Sequence, residues 1–134
     1  MSPKIVDQGE WFLANAALKS AAESANLYLG LYTDVAEPGE TANLATITEL
    51  AVANGYARIA LPAANWTITD DLSEQPQQTF TANGANWGNV SGYFITDVAN
   101  GTEGNLIAVE NFSDGPYDTL DGLSILLTPK ILTA

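Results

Sequence analysis

From Asn26 onward apolar residues recur at a period of two, the repeat of a strand that turns one face inward. The clearest run is Asn26-Leu-Tyr-Leu-Gly-Leu-Tyr-Thr33, with Leu27, Leu29 and Leu31 on one face and Tyr28, Gly30 and Tyr32 on the other. The second face is aromatic rather than charged, so partial cover on that side is expected as well. Further short strands are predicted over Tyr56–Leu61, Trp66–Thr69, Thr79–Ala82, Val90–Thr96, Leu106–Asn111 and Leu123–Thr128, while Leu44–Leu50 reads equally as short helix or strand. Their separators carry Pro62, Asp70-Asp71, Pro76, Gly84 and Gly115-Pro116, residues that turn a backbone through fixed φ, positive φ or local side-chain hydrogen bonds. Asn54-Gly55, Asn83-Gly84 and Asn100-Gly101 add hairpin signals, because Asn-Gly tolerates positive φ at both central positions of a tight turn.

Before Asn26 the period is different. Trp11, Leu13, Ala14, Ala17, Leu18 and Ala21 recur three and four apart, which predicts one helix over 10–24. Glu10 in its first turn and Lys19 towards its end suit the helix dipole. Met1–Gly9 reads as an N-terminal arm whose deletion leaves the fold intact, and Trp11 and Phe12 beside it are candidate partner-binding residues. The whole pattern predicts a single domain, 1–134, mainly β: an antiparallel β-sandwich or its jelly-roll variant, with one N-terminal helix.

Composition narrows the chemistry. The chain has no histidine and no cysteine, which removes the commonest general base, the thiolate nucleophile and the softer metal ligands. Asp70, Asp71 and Glu74 form one acidic cluster and Asp114, Asp118 and Asp121 another, but neither has the order of a calcium loop. Glycosidase chemistry requires two carboxylates across a cleft, one of them desolvated, and no such cleft is legible. No catalytic residue, metal or cofactor is therefore expected.

Sixteen acidic residues against Lys4, Lys19, Arg58 and Lys130 give a net charge of −12, which disfavours nucleic acid and anionic membranes as partners. No stretch approaches the ~20 apolar residues of a helical membrane span, and Asp7-Gln8-Gly9-Glu10 interrupts any signal-peptide core, so synthesis in a cytoplasm is expected. Arg58 is the one arginine; a bidentate carboxylate pair is expected of it, fixing a strand edge or a subunit contact. Trp66, Trp87, Tyr56, Tyr93, Phe80 and Phe94 read mostly as core, and any left exposed would suit stacking on sugar rings.

Leu29-Gly-Leu-Tyr-Thr33, Gly55-Tyr-Ala-Arg58, Trp66, Thr79-Phe80-Thr81 and Trp87-Gly-Asn-Val-Ser-Gly-Tyr-Phe-Ile95, in that order after an opening helix, resemble a group of small virion proteins of tailed bacteriophages. The resemblance implies a noncatalytic structural protein. Its first implication is a capsid decoration or cement protein, a homotrimer on the capsid surface that binds the major capsid protein and reinforces the assembled shell through Trp11, Phe12 and Arg58. Its alternative is a tail- or fibre-associated protein, with a glycan-binding module as one form. The acidic stretch Asp34–Asn43 and the loop around Asp118 depart from the group's pattern.

Overall fold

The computed structural model describes residues 4–9, 26–69 and 72–132. Residues 7–9 form a helical turn; the helix predicted over 10–24 lies outside the described residues. The strands of the remainder all pair antiparallel, as the period-two pattern requires, and are joined by turns and one 3-10 turn at Ala63–Asn65.

A five-stranded sheet forms the centre, in the order β1 (Lys4–Ile5), β9 (Leu106–Asn111), β8 (Gly92–Thr96), β2 (Leu27–Tyr32) and β3 (Ile59–Leu61). Three smaller ladders accompany it: β4 (Thr67–Thr69) and β12 (Lys130–Leu132) on either side of β5 (Leu72–Glu74), β6 (Gln78–Thr81) with β11 (Ser124–Leu127), and β7 (Gly88–Val90) with β10 (Tyr117–Thr119). From β5 onward the pairings are nested, β8 with β9, β7 with β10, β6 with β11 and β5 with β12. The second half of the chain is thus one long antiparallel ribbon folded back on itself, the connectivity from which a jelly roll is wound.

Both faces of the central sheet are covered. On one, Leu29, Leu31, Tyr93, Ile95 and Ala108 pack with Phe80, Val90, Ile125, Leu127 and Ile131 from the smaller ladders, giving the main sandwich core. On the other, Tyr32, Phe94 and Val109 meet Val6, Leu44 and Ile47. This second cluster accounts for the aromatic face of β2: Gly30 lies opposite Phe94, and a Cβ at Gly30 would come within 2.3 Å of the Phe94 ring. The glycine is the space into which the ring fits.

The structure corrects the reading of several segments. Met1–Gly9 is not a free arm over its described part: Lys4 and Ile5 pair with Val109 and Ala108, Val6 is fully buried, and Gln8 Oε1 accepts a hydrogen bond from the Leu106 amide. Two strand residues carry no readable period, so sequence pattern could not reveal them. Leu44–Leu50 is neither helix nor strand but a run of turns, with Glu49 bridged singly to Tyr32. Val90–Thr96 is two strands, divided at Ser91, whose amide bonds to the Tyr32 carbonyl where the ribbon passes from one layer to the other.

The Asn-Gly pairs also differ from expectation. Only Asn54-Gly55 has positive φ at both residues (55° and 91°), and its turn, closed by the Tyr56 amide on the Ala53 carbonyl, is one bend inside the long 33–58 connection of the paired β2 and β3, not a tight hairpin. Asn83-Gly84 links β6 to β7, which pair elsewhere. Asn100-Gly101 does lie within the β8–β9 hairpin, but inside a loop spanning 97–105 that Asp97 closes by accepting hydrogen bonds from the Asn105 backbone and side chain. Tertiary pairing, not local turn chemistry, chose the partners.

Candidate functional site

Polar side chains with specific geometry gather at the ends of the central sheet, and they serve the fold. Arg58 Nε and Nη2 donate to the two carboxylate oxygens of Glu49 at 3.0 and 2.7 Å. Its remaining donors reach the Val98 and Gly101 carbonyls, and the guanidinium stands 5.2 Å from the Phe94 ring centroid. The Arg58 side chain is only 2% exposed. The bidentate carboxylate pair expected of this arginine is present, and within the chain it ties the β8–β9 loop to the 33–58 connection.

Tyr56 completes that cluster by donating to Glu49 Oε2 at 2.5 Å and accepting from the Leu31 amide. At the other end Tyr32 donates to Asn111 and Tyr93 to Glu110. Burial first, then neighbouring carboxylates, hold all three phenols above the ordinary tyrosine pKa. These are proton-retaining structural phenols, each with a fixed acceptor. Among the described residues no three carboxylates converge in the manner of a cation site; Asp70 and Asp71 of the first acidic cluster lie outside those residues.

Trp66 and Trp87 are half-buried against the core. Trp87 is fixed by a hydrogen bond from Nε1 to the Asn54 carbonyl and an edge-on contact with Tyr56. Trp11 and Phe12 lie outside the described residues.

The surface feature that sequence reasoning missed is a groove of ≈ 330 Å³ between β10 and β11, lined by Tyr117, Asp118, Thr119 and residues 123–126. Leu123 and Leu126 are 49% and 55% exposed, with Leu120 beside them at 45%. Tyr117 stacks on Phe112 with centroids 4.6 Å apart and donates its hydroxyl to Asp114; that hydrogen bond, aided by partial burial, pushes the phenol up to about 12. A signal was available in Leu-Ser-Ile-Leu-Leu127: Ile125 and Leu127 alternate inward, which sets Leu126 on the face alternation reserves for polar residues. It passed unnoticed because single exposed leucines are common.

Comparison with known proteins gives one finding. No curated protein matches the chain, whereas the family model described as podophage GP4 fiber I protein gp80 matches residues 8–119. That span runs from the turn after β1 through β10 and holds every motif on which the virion resemblance rested. Of the two implications of that resemblance, the fibre-associated one fits this family and the capsid-surface one does not follow from it. The chain belongs to the podophage GP4 fiber I protein gp80 family, the virion structural proteins of tailed phages that this description names.

Proposed function

We propose that this protein is a noncatalytic, fibre-associated structural component of a podophage particle, working as a folded acidic β-module in contact with neighbouring virion proteins. The observation that carries the reading is the family match over residues 8–119. The fold is in keeping with it. Arginine, glutamate and the buried tyrosines bond one another within the domain, and the large apolar side chains exposed among the described residues are Val35, Val52, Leu120, Leu123 and Leu126. Copies of the chain associate as a homo-oligomer in this reading, a trimer being the expected form.

Immunogold labelling of purified particles tests the assignment. Label on the tail or its fibres is expected. Label spread evenly over the capsid shell would return the protein to the decoration role, and unlabelled particles would remove it from the virion.

A further inference from the structure

We propose that the groove between β10 and β11 docks an extended segment of a neighbouring virion protein, one that presents apolar side chains flanked by lysine or arginine. The inference rests on the fibre reading and adds the place and chemistry of a contact. It extends past the family match, which ends at residue 119, so β11 and its leucines are outside the matched span.

Three observations carry it. The first is exposure: Leu123 and Leu126 line the groove and Leu120 follows its lining residue Thr119 in sequence, each about half-exposed, on a chain whose other large exposed apolar side chains are Val35 and Val52 among the described residues. Grouped exposed leucines beside a concave slot mark an interaction site more often than scattered ones do. The second is the strand itself. Among the described strands β11 has β6 as its one partner, and its sequence, Ser-Ile-Leu-Leu, lacks the lysine, proline or inward charge that usually protects an open edge. An added strand would satisfy that backbone while alternate side chains enter the slot.

The third is charge. No lysine or arginine occurs between Arg58 and Lys130, so the ribbon from β5 through β11, which carries the groove, has carboxylates as its only charged groups, and Lys130 at the start of β12 is the ribbon's one cation. Asp118 lines the slot, and Asp114 and Asp121 are exposed beside it. The three cations among the described residues are ion-paired elsewhere, Lys4 with Glu37, Arg58 with Glu49 and Lys130 with Glu74. A second copy brought to this rim would set carboxylates against carboxylates, whereas a basic, apolar segment is attracted at long range and then buries the leucines.

Two experiments on intact particles test the proposal. Zero-length carboxyl-to-amine cross-linking of purified virions, read by mass spectrometry, is expected to join Asp118 or Asp121 to lysines of a different virion protein. The double variant Leu123→Ser, Leu126→Ser removes apolar surface that is already half in water, so its melting curve should stay near wild type while its occupancy on particles falls about tenfold, the effect of ~1.4 kcal/mol of lost contact. Unchanged occupancy, or cross-links from these aspartates to a second copy alone, would overturn the proposal with the fibre assignment intact. Wild-type protein missing from particles would fell both.

Discussion

Arg58 illustrates how one residue couples distant segments. Its guanidinium joins Glu49 to carbonyls of the β8–β9 loop and packs over Phe94, so removing it leaves Glu49 and Tyr56 without their organising partner. Breaking a buried pair from one side costs about 3–5 kcal/mol; Arg58→Ala is expected to fall in that range by urea denaturation, and Arg58→Lys to recover little, since an ammonium cannot form the bidentate pair. The tyrosines act together. Tyr117 is raised to about 12 by Asp114, and Tyr32, Tyr56 and Tyr93 are raised chiefly by burial, so the folded state holds these protons more tightly than the unfolded chain, whose tyrosines ionise near ~10. Their stabilising contribution is complete below pH ~10 and is lost as pH climbs through the folded values. Absorbance titration at alkaline pH should show tyrosinate appearing together with loss of the fold; ionisation of all the tyrosines near pH ~10 with the fold intact would contradict this.

At the level of elements, legibility followed pattern length. Of the six-residue strands, β2 declares itself by its alternating leucines and aromatic second face, and β9 by a continuous apolar run with β-branched Ile107 and Val109. Strands of two or three residues such as β1, β5, β10 and β12 exist because a partner far along the chain holds them, and a local pattern cannot encode that. Asp118 and Asp121 read as an acidic loop because their charge was visible, whereas the groove beside them depends on how β10 is brought against β11. The central sheet makes two predictions. Truncating Met1–Gly9 removes β1 and Val6, so it should cost at least the ~1.5–3 kcal/mol of burying one valine side chain, with thermal melting as the check. Gly30→Ala would drive a methyl into the Phe94 ring; overpacking of this kind costs about 1–3 kcal/mol, and a second change, Phe94→Leu, should return part of it by making room.

The whole molecule carries a net charge of −12, with its described carboxylates exposed or half-buried at the surface. Self-repulsion of that size keeps free copies apart and mildly strains the compact state. Melting temperature should therefore rise between ~0.01 M and ~0.15 M salt, as the Debye length contracts from ~30 Å to ~8 Å. Such a chain is suited to accumulate unassembled and to join a larger structure through limited surfaces, of which the β10–β11 groove is the one proposed above. The central claim is membership of the particle as a fibre-associated component. Quantitative mass spectrometry of purified virions, with the major capsid protein as internal standard, tests it most directly. A copy number small against the capsid protein and proportional to the tail components is the predicted result; a copy number comparable with the capsid protein, or no detectable chain, would contradict it.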